Sequence, residues 1–301
     1  METYHIPALL KPTTEGLNIK PDGTYVDLTY GGGGHSREIL ARLGTNGRLI
    51  VFDQDEDAWE NRIDDGRLIF VRHNFRFLYH FLKYIEMIHV DGILADLGVS
   101  SHHFDVAERG FSFRLDGLLD MRMNRNATVT AATVLNSYSE EQLAALFRIY
   151  GEITSANRLA REIVACRAKQ PIHTTAELKD VASKFAPARD AARFLSQVFQ
   201  ALRIEVNGEM DALKEMMDAS VMVLKKGGRL AIISYHSLED RMVKNFFRTG
   251  DVNTSEPETD IYGRIDVPFK AITRKVIVPN DDEIEANPRV RSAKLRIAEK
   301  L

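Results

Sequence analysis

Four short apolar runs mark the first hundred residues: TYVDLT (24–29), GRLIVFD (47–53), RLIFVR (67–72) and VDGILADL (90–97). Each is nearly continuous in aliphatic or β-branched residues, and each is bounded by Gly, Asp or Asn. Continuous rather than alternating runs predict strands covered on both faces, as in a parallel sheet. Between the first two, SREILARLG sets Ile39, Leu40 and Leu43 on one helical face and offers Gly44 as a C-terminal stop. Strands alternating with helices predict an α/β fold.

The pattern changes after about residue 105. As far as 205, strand signals are nearly absent and helical ones dominate. SEEQLAALFRIYG opens with a capping box, Ser139 with Gln142, and TTAELKDVASKF with another, Thr174 with Glu177. ARFLSQVFQALRIEV keeps Phe194, Leu195, Val198, Phe199 and Leu202 at helical spacing. The expected organisation is therefore a core domain of residues 1–104 and 206–301, interrupted by a helical insertion of residues 105–205. DALKEMMDASVMVLKKGG reads as an amphipathic helix ending at its Gly pair and feeding a fifth strand, GRLAIISY (228–235). KAITRKVIV (270–278) and RVRSAKLRIAE (289–299) are two further β-like segments, close enough to pair antiparallel. The polar stretch 250–266 is expected to be a mobile loop.

The chain has 301 residues, 44% of them hydrophobic, enough for one large α/β domain with an insertion. No run of 18 apolar residues predicts a membrane span. METYHIPALLKP lacks the basic n-region and apolar core of a secretion signal. The single cysteine, Cys166, can form no disulfide within the chain, which fits a reducing cytoplasm, and it rules out a multi-cysteine zinc site. A net charge of −3 gives no strong overall field toward nucleic acid, so polyanion contacts have to come from local patches.

The most unusual string is DLTYGGGGHS (27–36), with four consecutive glycines between a strand and a helix start. It fits a dinucleotide site, a nucleoside site or a plain tight turn. The dinucleotide fingerprint G-x-G-x-x-G fails, because its third position falls on Ser36 or Arg37. Asp27 followed by Gly31 and Gly33 suits S-adenosylmethionine, whose methionine and ribose parts approach the backbone beside a helix N-terminus. Asp53, ending the second strand, supplies the carboxylate that two ribose hydroxyls require. Asp96 closes the fourth strand at the same sheet edge, where ligands of open α/β sheets bind.

Several long strings then resemble one family, the bacterial small-subunit ribosomal RNA cytosine-N4-methyltransferases of the MraW type. They are GGHS, DLGVSS, RGFSFRLDGLLDMRM (109–123), FQALRIEVN (199–207), ISYHSLEDRMVK (233–244) and NPRVRSAKLR (287–296). The resemblance runs over nearly the whole chain. It implies a Rossmann-like class I S-adenosylmethionine-dependent methyltransferase sheet with an inserted helical domain. It also implies methylation of the N4 amine of one cytosine in the decoding centre of 16S rRNA, near the P site, within a partly assembled small subunit. By position it places the cofactor on Gly33, Gly34, His35, Asp53, Phe75 and Asp96. It places His103 where the family has glutamine, since this chain has His102-His103 in place of Pro-Gln. LSQVFQ also departs from a family Thr-Arg pair ahead of Phe-Gln.

Asp96 and His236 are the candidate catalytic groups. Methyl transfer from a sulfonium needs mainly alignment, and an acceptor that holds the cytosine amine would help. Asp96 can be that acceptor or a cofactor contact, the latter being favoured. Ser237 and Asp240 read as a helix cap, and His236 as a substrate contact or a plain loop histidine. Tyr235 either stacks on the extruded base or fills the core. The cluster His102-His103-Phe104-Asp105 is too contiguous to aim at one ion, so no metal is assigned. RNA contacts are expected from Arg289, Arg291, Lys294 and Arg296, read as a strand with two basic faces, and from Arg158 and Arg161 on one helical stripe. The amphipathic helices of the insertion offer a homodimer interface, without a sustained heptad seam. The rival readings are methylation of DNA or protein, an NAD-dependent oxidoreductase and a non-catalytic RNA-binding assembly factor.

Overall fold

The computed structural model describes residues 7–98, 105–256, 267–273 and 275–301. His102, His103, Phe104 and positions 257–266 of the expected loop lie outside the described residues. The chain forms two compact units, Met1–Gly98 with Met210–Leu301, and Val99–Glu209.

The first unit is built on seven strands: β1 (Thr24–Asp27), β2 (Arg48–Phe52), β3 (Leu68–Val71), β4 (Val90–Asp96), β5 (Leu224–Ser234), β6 (Phe269–Ala271) and β7 (Lys294–Lys300). Their order is β3-β2-β1-β4-β5-β7-β6. The first five are parallel, and β7 runs antiparallel to both β5 and β6. The apolar runs separate by period two into a core on each face. Val26, Ile50, Ile93 and Ile232 point to one, and Tyr25, Leu49, Leu94 and Ile233 to the other. Helices α1 (Leu10–Gly16), α2 (Gly34–Arg42), α3 (Glu56–Glu60) and α4 (Leu78–Tyr84) lie between the early strands or ahead of them. Helix α2 ends at Arg42, two residues before Gly44, whose N–H donates to Pro21 O instead of closing the helix.

The second unit is helical: α5 (Ala131–Ser137), α6 (Glu140–Ile149), α7 (Ala156–Arg167), α8 (Thr175–Ser183) and α9 (Ala191–Asn207). Both expected capping boxes form, Ser139 with Gln142 and Thr174 with Glu177. Phe147, Leu159, Phe199 and Leu202 fill its separate core. Its described β structure is one bridge, Leu118 to Thr174.

Helix α10 (Glu209–Val223) corrects one expectation. It stops before the Gly pair, which lies inside β5, where the register slips between Val90↔Leu224 and Gly92↔Arg229. Gly227, at φ 77°, makes that bulge possible. The buried Asp91 carboxylate secures it by accepting from Lys225 Nζ at 2.6 Å and Thr24 N at 3.1 Å. Helices α11 (Ser237–Thr249) and α12 (Asp281–Ala286) follow. The C-terminal β segments are shorter than expected. KAITRKVIV contributes β6 and a single bridge from Ile277 to Leu295, and Pro288–Ser292 is a 3₁₀ turn.

One side chain ties the end of α9 to the loop before α5. Asn207 accepts from Met123 N at 2.8 Å and donates to Met121 O at 2.8 Å and Arg203 O at 2.9 Å. Met121 itself is fully buried with φ 61°, a conformation that needs such support. Asn207→Ala removes all three bonds and is expected to cost about 1–3 kcal/mol, read as a lower denaturant midpoint. An unchanged midpoint would show that Asn207 is not a clamp.

Candidate active site

The C-terminal tips of β1, β2 and β4 each carry an aspartate. Asp27 is buried at the end of β1, where its carboxylate accepts from Ser36 Oγ at 2.6 Å and Thr29 N at 3.1 Å. Thr29 Oγ1 in turn accepts from Asp96 N at 2.7 Å, which ties the tip of β1 to that of β4. Ser36, the residue that breaks the dinucleotide fingerprint, thus holds the first strand tip. Burial pushes the Asp27 carboxyl up, against the pull of the Ser36 hydroxyl and the charge of His35.

The four glycines serve different ends. Gly33 has φ 73°, and a Cβ there would meet Tyr30 Oη at 2.7 Å. A Cβ on Gly34 would meet Pro7 Cγ at 2.7 Å. Both glycines are therefore explained by internal packing. Gly31 differs: at φ 51° its Cβ would meet only Thr29 O, at 4.0 Å. The space beside Gly31 is open and its backbone is bare. Gly31 N donates to Asp53 Oδ2 at 2.8 Å, and Asp55 N donates to Asp53 Oδ1 at 2.9 Å. Desolvation by burial pushes the Asp53 carboxyl up to about 6, although both N–H groups pull it down. Half-buried with oxygen lone pairs to spare, this carboxylate beside an open glycine fits a ligand carrying adjacent hydroxyls. Phe75, half-buried, opens the 3₁₀ turn Phe75–Phe77 after β3, behind the N-cap Asn74.

Asp96 is enclosed by three groups. His35, buried in the first turn of α2, has Nε2 at 3.1 Å from Ala8 O, so Nε2 is a donor, and Nδ1 lies 3.8 Å from Asp96 Oδ2. The Tyr235 hydroxyl bonds the same carboxylate, and Gly98 N approaches Oδ1 at 3.4 Å. Burial pushes the Asp96 carboxyl up, and His35 and Tyr235 oppose that shift. Burial and the negative charge of Asp96 push the Tyr235 phenol well up, so it is a donor at every ordinary pH. Gly98 has no side chain because the Tyr235 ring lies there, with a Cβ falling 2.7 Å from Cε2. Tyr235 therefore packs on the loop after β4 with its hydroxyl committed to Asp96. Sequence reasoning gave no role to Ser36, Thr29 or Tyr30 and did not link Tyr235 to Asp96, since these contacts cross between strands.

Other expected site residues are placed differently. His236 is the N-cap of α11: its Nδ1 accepts from Glu239 N at 3.4 Å, and Glu239 Oε2 accepts from His236 N at 3.3 Å and Tyr235 N at 2.8 Å. Its Nε2 lies 3.1 Å from Glu239 Oε1. The cap expected at Ser237 and Asp240 is thus shifted by one residue, and the His236 imidazole takes part in it. Asp240 instead accepts from Arg296 Nε at 2.8 Å and Lys294 Nζ at 3.4 Å. Those two cations share a face of β7, as expected, but an acid faces them. Arg289 and Arg291 lie in the 3₁₀ turn, where Asn287 caps and Pro288 starts the helix, so the alternating strand faces assigned to them do not exist. In the second unit, Arg158 lies over the Phe185 ring at 5.4 Å and Arg161 pairs with Glu140 at 3.4 Å. His103 is outside the described residues.

This chain matches the model of the MraW methylase family over residues 2–301. It is 58% identical to the "Ribosomal RNA small subunit methyltransferase H" of Bacteroides thetaiotaomicron, covering 99% of this chain and 98% of that protein. The protein of the same name from Flavobacterium johnsoniae is 56% identical, with 99% and 98% covered. A solved rRNA methylase from Streptococcus thermophilus has a TM-score of 0.41 at 14% identity, with 99% of each chain covered. The expected fold, a Rossmann-like class I S-adenosylmethionine-dependent methyltransferase sheet, is the fold observed, and S-adenosylmethionine is its cofactor. A match that spans the chain from its second residue to its last, together with these identities, places the chain in the MraW methylase family.

Proposed function

We propose that the chain methylates the exocyclic N4 amine of a cytosine in the decoding centre of 16S rRNA, near the P site, acting in the cytoplasm on the small ribosomal subunit. The observation that carries this reading is the meeting of Asp53, Gly31 and the Asp96 cluster on neighbouring strand tips. The acceptor follows the name shared by its relatives, small-subunit rRNA methyltransferase H.

Bound S-adenosylmethionine supplies a methyl group on positively charged sulfur, so the protein has only to bind, orient and remove a proton. The Asp53 carboxylate accepts the ribose hydroxyls, and the backbone of Gly33 and Gly34 borders the cofactor beside the start of α2. Phe75 flanks the adenine. His35 borders the cofactor beside Asp96, whose carboxylate it faces at 3.8 Å. Asp96 contacts the cofactor and is also the acid best placed to accept an amine N–H. His103 completes the cofactor set by sequence position. His236, the N-cap of α11, is the candidate substrate contact past the end of β5. Arg158, Arg161, Arg289 and Arg291 remain the RNA contacts, while Asp240 faces Lys294 and Arg296. The helical unit is the RNA-docking module.

The direct test is transfer of labelled methyl to small subunits from cells lacking this enzyme, followed by nucleoside analysis. N4-methylcytidine is expected, and label confined to protein or DNA overturns the acceptor. Asp53→Ala is expected to weaken S-adenosylmethionine binding about 10- to 100-fold by calorimetry, the equivalent of about 1.5–3 kcal/mol for charged hydrogen bonds. The Asp53 carboxyl titrates at about 6 in the folded protein, above its ordinary value, and only the ionised form accepts two hydroxyls. Affinity should therefore rise as the pH climbs from about 5 to about 7, with proton release on binding at the lower pH. Asp53→Asn should flatten that profile, and a variant retaining it would remove Asp53 from the site.

A further inference from the structure

We infer that a cavity within the helical unit binds one unpaired nucleotide of the RNA substrate, distinct from the cytosine that is methylated. The inference rests on the RNA reading above. The cavity, of about 340 Å³, lies between the segment ahead of α7 and the start of α9. That volume falls in the range of sites for small organic ligands, and it suits a base with its sugar. One wall is apolar, with Phe185 beside the buried Phe194. Phe185 also bears the Arg158 guanidinium 5.4 Å from its ring centroid, so a planar cation and an aromatic face already lie together at this wall. Bases stack on such surfaces whatever their identity.

The opposite lining is polar and uncommitted. Thr154, Asp190, Arg193 and Gln197 all border the cavity. Among the described residues, none of their side chains has a hydrogen bond or ion pair within the protein. Elsewhere in the same unit Arg122, Arg161 and Arg203 are each paired with a carboxylate. Asp190 holds the N-cap position of α9 without capping it, whereas Thr130, Ser139 and Thr174 all cap their helices. Arg193 and Gln197 are four residues apart on α9, so they share one edge of the cavity. Glu152, also in the lining, has φ 50°, a strained conformation for a residue with a side chain.

The mixture of charges selects the ligand. A simple anion would meet the Asp190 carboxylate as well as Arg193. A nucleotide separates the two needs, because its base edge offers N–H donors to Asp190 and Gln197 while its phosphodiester meets the exposed Arg193. The base then lies against Phe185. Of the four bases, guanine alone presents two adjacent donors to one carboxylate, so it is the preferred occupant.

The test compares the unaltered enzyme with Arg193→Glu and Gln197→Ala on unmethylated small subunits, with S-adenosylmethionine affinity measured alongside. Arg193→Glu is expected to raise KM for the subunit about tenfold, a change of about 1.4 kcal/mol, with kcat and S-adenosylmethionine affinity retained. Gln197→Ala should act in the same direction to a smaller extent. Ultraviolet cross-linking followed by mass spectrometry should place a nucleotide adduct on the peptide containing Phe185. If the enzyme methylates 16S rRNA but both variants keep its KM and that peptide carries no adduct, the site is overturned and the acceptor stands. If the peptide cross-links to a ribosomal protein instead, the nucleotide assignment is overturned. If no RNA is methylated, the acceptor reading falls and the inference with it.

Discussion

The sheet edge that forms the site depends on one buried carboxylate. Asp27 closes β1, and its oxygens accept from the first turn of α2 through Ser36 and from the descending loop through Thr29. Thr29 in turn receives the N–H of Asp96. A carboxylate removed from water is costly unless its lone pairs are engaged, so this arrangement is stable in one geometry and poor in any other. That geometry fixes where the glycine turn leaves the sheet and how far the tip of β4 stands from that of β1.

The groups above it inherit their environment. His35 faces Asp96 because Ala8 O fixes its other ring nitrogen, and Tyr235 reaches Asp96 because Gly98 leaves room for its ring. Burial pushes Asp27, Asp53 and Asp96 upward together, while His35 and the neighbouring donors oppose the rise at Asp27 and Asp96. Three acids at adjoining tips repel one another in their charged forms, and a sulfonium ligand is the kind of charge such a cluster favours. The same economy of partners holds at the end of β5, where Glu239 and His236 satisfy the first turn of α11.

The helical unit follows another logic. Its caps and the Asn207 clamp give several of its polar side chains an internal task beside a separate core. Polar groups without such an internal task, gathered beside an aromatic wall, are therefore informative there.

Much of this was readable along the chain. The five parallel strands, the helical insertion, both capping boxes and the acids at the strand tips follow from local pattern, because period, caps and turn residues act over a few positions. The long strings shared with the family add the cofactor. What the chain alone did not determine lies in contacts between distant segments. The pattern offers Ser237 with Asp240 as the cap, and His236 takes that place in the fold because Glu239 reaches back to it. Pattern does not separate a helix running into a Gly pair from a strand bulging through it. The pairing of β5 with β4 decided that, with Asp91 as its anchor. Lys294 and Arg296 read as free cations until the fold set Asp240 beside them. The absence of a side chain at Gly33 and Gly34 reads as room for a ligand, whereas in the fold Tyr30 and Pro7 occupy the space a side chain would need. Sequence records which groups a segment offers, whereas only the tertiary structure decides which of them meet, because hydrogen bonds and ion pairs form over a few ångströms whatever the separation along the chain.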